Sequence, residues 1–186
     1  LENYVTVEIF SKLSAEQKRV LSALSVFREP VELEALAMQQ LDTDELDSLV
    51  ESGLARQADS ETYDVHDLIR EFLLRSLSVA LREEFHGKCV EWYKKQSQSQ
   101  DILIELVYHT IKSGQFDEAS ALVVKEGRQL VSQGHMELLG LIEQVETADL
   151  KTDVVVGMAQ LQGDILALLG RLPEAEEVLG NTLELA

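Results

Sequence analysis

A single cysteine, Cys89, in 186 residues excludes an internal disulfide framework. Without a second cysteine, neither a zinc ribbon nor a Cys-x-x-Cys redox pair can be built, and such sparse thiol usage fits a cytosolic compartment. Only 2 prolines and 10 glycines are present, too few to punctuate the many turns of an all-β protein. Long apolar runs are missing too: none approaches the roughly 18–20 residues of a membrane span. Cations are scarce, with 16 Lys and Arg against 34 Asp and Glu, a formal charge of −18. A chain so negative is repelled by nucleic-acid phosphate and by anionic lipid, which disfavours a general DNA, RNA or membrane-surface binder. What is plentiful is apolar surface. At 45% hydrophobic residues the chain can build a packed core, so wholesale disorder is excluded. The start, Leu1-Glu2-Asn3-Tyr4, carries neither an initiator methionine nor a signal-peptide pattern, and we expect the segment to come from a longer polypeptide.

Hydrophobic spacing predicts a helical lead-in over about 2–12, from Tyr4, Val5, Ile9, Phe10 and Leu13. Ser14-Ala15-Glu16-Gln17 has the form of a capping box. The helix it opens carries Val20, Leu21, Leu24 and Phe27 on one face and is expected to stop by Pro30. A short helix through Leu33, Leu36 and Ala37 follows, then one from Thr43 with Leu46, Leu49 and Val50 as its apolar stripe, ended by Gly53. Leu54–Gln57 and Thr62–Val65 read as two strands joined by the Ala58–Glu61 turn. At His66 a further helix begins, with Leu68, Ile69, Phe72 and Leu73 facing inward. Helices, a β-hairpin and a closing helix describe a winged helix-turn-helix over 14–78, preceded by the lead-in at 1–13.

The rest is read as helical. Leu81, Phe85, Cys89, Trp92 and Tyr93 make the stripe of a helical arm which, with the polar Gln96–Gln100 linker, spans 79–100. Residues 101–186 divide into helices at about 101–113, 116–132, 135–146, 154–169 and 172–185. Gly114-Gln115-Phe116-Asp117-Glu118-Ala119 aligns with Gly170-Arg171-Leu172-Pro173-Glu174-Ala175: a glycine ends one helix and a small alanine lets the next approach closely. The separation matches neither one nor two periods of about 34 residues, so an irregular tetratricopeptide-like superhelix is expected, with the 135–146 helix interrupting the array.

Leu21–Phe27, Gly53-Leu54-Ala55 and Tyr63-Asp64-Val65-His66-Asp67-Leu68-Ile69-Arg70-Glu71-Phe72 resemble the winged-helix domain of STAND signal-transduction NTPases, the group that includes NB-ARC proteins and the maltose-regulon activator type. The segment His109–Ala119 is similar to the helical superstructure that follows in that family. Gly163, Gly170, Ala175 and Leu179 fit the tetratricopeptide pattern of small and bulky positions, although Gln162 stands where an apolar residue is usual. The resemblance implies a mainly α fragment that regulates and senses for a separate nucleotide-binding core of the same polypeptide, with ADP or ATP and Mg bound by that core. Val65-His66-Asp67 occupies the place of the family's Met-His-Asp motif, with valine for methionine. This implies that His66 touches the ADP β-phosphate and holds an autoinhibited resting state, with Asp67 as its orienting partner. The local chemistry is compatible, since a histidine at a helix start sits where backbone amides and the helix dipole favour an anion. The plainer alternative is that His66 is a half-buried helix-start residue and Asp67 a first-turn acid.

No Gly-x-x-x-x-Gly-Lys-[Ser/Thr] occurs. The nearest approach, Gly87-Lys88-Cys89, has Arg82 in place of the first glycine and Cys89 in place of the magnesium-binding hydroxyl, so we expect no nucleotide hydrolysis by this chain alone. The helix that a DNA-binding winged helix would use carries Asp44, Glu45, Asp47 and Glu51 and no cation, and Arg56 in the wing stands beside Asp59 and Glu61. Recognition of nucleic acid through this segment is therefore disfavoured. His86 and Cys89 share a helix face but do not define a zinc site; they read as a surface histidine beside a core cysteine. His109 and His135 read as packing or turn residues, and Trp92 and Tyr93 as core rather than as a partner anchor. The last helix, with Val178, Leu179 and Leu183, leaves apolar area that calls for further repeats or another molecule. The helical repeats are expected to bind an effector or partner protein. A stand-alone interaction scaffold and a winged-helix DNA-binding regulator are the competing classes. An upstream P-loop would settle the nucleotide-switch class and its absence would favour the scaffold, whereas a DNA-binding regulator would need a basic surface or a DNA-binding domain outside this segment.

Overall fold

The capping box at Ser14 forms. In the computed structural model, which describes residues 8, 10–39, 41, 44–97 and 99–183, Ser14 Oγ accepts the Gln17 N–H at 3.0 Å and Gln17 Oε1 accepts the Ser14 N–H at 3.0 Å. Helix α1, Ala15–Ser25, follows. It buries Val20, Leu21 and Leu24, with Phe27 just beyond its end, as the spacing predicts, and also Ser22, Ala23 and Ser25, so its second half is enclosed on most sides. Ser14→Ala should cost about 1 kcal/mol by orphaning the Gln17 amide; denaturant unfolding with an unchanged midpoint would contradict this. Of the lead-in expected over 2–12, residues 1–7 and 9 lie outside the described residues; 8 and 10–12 are helical. Phe10 meets Phe72 edge-on, ring centroids 5.5 Å apart.

The chain divides into two compact units, Leu1–Trp92 and Tyr93–Ala186. In the first, α1 is followed by β1 (Val31–Glu32), α2 (Leu33–Ala37), α3 (Asp44–Glu51), β2 (Ala55–Gln57), β3 (Thr62–Val65), α4 (Asp67–Ser76) and α5 (Val79–Tyr93). Thr43, the expected start of α3, lies outside the described residues. The hairpin β2–β3 pairs Ala55 with Val65 and Arg56 with Asp64. Its turn is closed by Asp59, whose Oδ1 accepts the N–H groups of Glu61 and Thr62 at 2.8 Å each. The sequence reading missed β1, which pairs antiparallel with β3 (Val31 with Tyr63) and makes the sheet order β1-β3-β2. Two residues after Pro30 are too few to display an alternation. Helix α1 packs against α2, α3, α4 and β3.

On α5 the buried side chains are Phe85, His86, Cys89, Val90 and Tyr93. His86, read from the sequence as a surface residue, is only 1% exposed, because the core-facing stripe is one position wider than the apolar residues mark. Gln39, fully buried in the segment after α2, donates through Nε2 to Phe85 O and Cys89 Sγ, each at 3.3 Å, while Lys88 Nζ donates to Gln39 O at 3.2 Å.

The second unit is a stack of helices: α6 (Gln100–Lys112), α7 (Phe116–Ser132), α8 (Leu138–Ile142), α9 (Thr152–Leu168) and α10 (Leu172–Leu183). Helix α6 packs on α7, α7 on α9, and α9 on α10. The two aligned segments occupy equivalent places. Gly114 and Gly170 both take positive φ (75° and 74°), which β-carbon sterics disfavour, and both close a helical hairpin; Ala119 and Ala175 are both buried one turn into the following helix. Between the hairpins the helix expected at 135–146 shrinks to Leu138–Ile142. His135 N–H goes to Leu130 O, completing the end of α7, and the Leu138 and Leu139 N–H groups go to His135 O and Met136 O only three residues back, a tighter turn than the α-helix that follows. Residues 184–186 and Gln98 lie outside the described residues.

Candidate functional site

His66 stands where the central strand β3 passes into α4. Its backbone (φ −62°, ψ 141°) is that of an N-cap, and its carbonyl accepts the N–H groups of Ile69 and Arg70 at 2.9 Å. The imidazole makes no capping bond to its own helix. It is exposed, not half-buried, and so is Asp67, the first helical residue. Among the described residues no hydrogen bond joins the two side chains. Asp67 instead contributes to the field around Arg56, whose guanidinium is held above its ordinary pKa, first by its hydrogen bond to Asp64, then by the charges of Asp64 and, more weakly, Asp67.

Beneath this junction lies a charged cluster that the sequence did not advertise. Asp64, with a side chain only 6% exposed, accepts from Arg56 Nε at 3.2 Å and Nη2 at 2.6 Å, from Arg70 Nη2, and from the Val65 N–H at 2.7 Å. The Arg70 guanidinium, itself 16% exposed, also reaches Val65 O at 3.4 Å and Ser25 O, at the end of α1, at 3.5 Å. The signal lies in strand register: Arg56 and Asp64 face each other only once β2 and β3 are paired. Beside His66 a cleft of about 330 Å³ is walled by Phe10, Leu21, Leu68, Ile69 and Phe72. So apolar a cleft does not cradle a phosphate. His66 and Ser52 are the polar side chains among its lining residues, and both are exposed.

Elsewhere the candidate residues are structural. His109 is fully buried, its ring 5.3 Å from that of Tyr93 and 5.0 Å from that of Tyr108. His135 sits in the turn after α7 with Nδ1 3.1 Å from Glu137 Oε1. On α3, Asp44, Asp47 and Glu51 are exposed. In the second unit a groove of about 540 Å³ runs between α7 and α9, with Arg128 and Asp164 among apolar walls of Val131, Leu161 and Leu168. Leu168 (66% exposed) and Leu172 (58%) leave apolar surface open around the turn that joins α9 to α10. No helix among the described residues is long and apolar enough to cross a membrane.

The chain is mainly helical, with a small three-stranded sheet in its first unit and stacked helices in its second. The sequence matches no protein-family model and no curated protein. Among solved structures it is similar to the crystal structure of the Signal Transduction ATPase with Numerous Domains (STAND) protein with a tetratricopeptide repeat sensor from Pyrococcus horikoshii. The TM-score is 0.59 with 24% identity, over 98% of this chain and 33% of that one. The fold is therefore one found in a STAND protein, and this chain spans about a third of that protein's length.

Proposed function

We propose that this chain is the regulatory and sensor portion of a STAND signal-transduction ATPase. The observation that carries the reading is the fold shared over 98% of this chain with a STAND protein that has a tetratricopeptide repeat sensor. On this reading the winged helix clasps a nucleotide-binding core in its ADP-bound resting state, and His66 donates an imidazole N–H to the nucleotide phosphate. Its exposure, and a ring not consumed in capping α4, support that role. The nucleotide and Mg belong to the core, which carries out hydrolysis; this chain supplies a contact and no catalytic group. The repeats bind an effector or partner protein, for which the groove between α7 and α9 and the exposed leucines beside it supply apolar surface. An effector shifts such a switch only by preferring the open state to the closed one. Exposed acids on α3 favour protein over nucleic acid as the neighbour of that helix.

The test is ADP release from the complete polypeptide. A hydrogen bond to a charged group contributes about 1.5–3 kcal/mol, so His66→Ala should speed ADP dissociation about tenfold or more and raise basal activity. An unchanged rate would remove the nucleotide-switch reading.

A further inference from the structure

We propose that Asp64 and Arg70 are positioning residues for His66, a clamp whose integrity sets how firmly the resting state is held; the inference rests on the reading of His66 given above. An exposed imidazole that makes no hydrogen bond among the described residues is aimed by its backbone. That backbone is held on both sides. Preceding His66, the Val65 N–H donates to Asp64 Oδ1 and the Val65 carbonyl accepts from Arg70 Nη2. Following it, the Arg70 main-chain N–H donates to the His66 carbonyl at 2.9 Å. The same guanidinium closes on Asp64 and reaches the last residue of α1, so strand, helix start and central helix are fixed relative to one another by one side chain. Arg56 completes the arrangement from β2, across the sheet.

Burying a carboxylate and a guanidinium is a poor way to gain stability, because apolar residues of similar volume do as well or better. What the ions add is geometry: planar donors that satisfy several acceptors in one orientation only. A loop that merely linked β3 to α4 would not need it, whereas a loop that aims an exposed donor at a ligand does.

Arg70→Lys keeps the charge but cannot bridge Asp64, Val65 O and Ser25 O together. In the complete polypeptide it should speed ADP release about tenfold, within the range by which residues off the ligand alter coupled equilibria. In the 186-residue chain it should raise hydrogen exchange at Val65 and shift the His66 ring resonances while leaving exchange in α3 unchanged. Added to His66→Ala, it should give no further acceleration. Asp64→Asn, isosteric and uncharged, repeats the test should Arg70→Lys fail to fold. If His66→Ala speeds release and neither clamp variant does, or if the two effects multiply, the clamp is refuted and the nucleotide reading stands. If His66→Ala leaves release unchanged, both fall.

Discussion

Phe85→Ala should lower the stability of the first unit by about 3–5 kcal/mol. Phe85 is fully buried and among the largest side chains of the core. Its truncation removes apolar contact and also leaves a cavity, and the cost depends on how far the surroundings can collapse. Here they are restrained. Gln39 is bonded to the Phe85 carbonyl and to Cys89 one turn on, and Lys88 holds the Gln39 carbonyl, so the segment after α2 cannot move inward without breaking buried hydrogen bonds. The upper half of the range is expected. Trp92, the single tryptophan of the chain, lies at the other end of α5 and reports the transition by fluorescence. Val79→Ala, at a position 67% exposed on the same helix, serves as the control and should stay within about 0.5 kcal/mol. A loss below about 1 kcal/mol for Phe85→Ala would mean that the site closes up.

Gly163→Val should destabilise the second unit by about 2–3 kcal/mol. A β-carbon at 163 would lie 2.8 Å from Leu179 Cγ, 2.9 Å from Cδ2 and 3.1 Å from Cδ1, so the whole isobutyl group of α10 is seated on the glycine of α9. Because Cγ itself collides, turning χ2 does not relieve the overlap; Leu179 must change its χ1 rotamer or α10 must move away. Gly163→Ala should cost less, since alanine recovers about 1 kcal/mol of helix propensity over glycine. Leu179 is 38% exposed, so Leu179→Ala alone is cheap and, combined with Gly163→Val, should restore most of the loss. Circular-dichroism unfolding of the four variants decides it. An unshifted midpoint for Gly163→Val, or losses that simply add, would show that the helices do not meet at this contact.

Much of the architecture could be read from local chemistry. Ser14 and Gln17 announce a helix start because the capping box is a bond pattern within four residues. Gly114 and Gly170 announce hairpins because their backbone angles are ones that other residues avoid. Gly163 and Leu179 stood out as small and bulky positions, and the structure brings that pair together. What stayed hidden depends on distant partners. Strand β1 exists because β3 offers it an edge, not because two residues prefer to be extended. His86 looks like a surface residue until α5 is rotated into place. At the candidate site His66 could be named from its place in a motif, whereas Asp64, Arg56 and Arg70 became a group only when β2 and β3 were registered and α4 folded back.

Gln39 has a consequence for which packing the chain adopts, as distinct from how stable that packing is. The buried apolar residues of α5 would tolerate more than one setting of the helix, because grease is indifferent to a slide of one turn, about 5.4 Å. An amide that finds Phe85 O and Cys89 Sγ in a single setting is not indifferent. A slide of one turn would bring another helix carbonyl to Nε2 but would take the Cys89 thiol away, so this setting alone keeps both acceptors. A leucine at 39 would fill the space and leave the helix free to choose among near-equivalent seats. The glutamine makes one seat the answer.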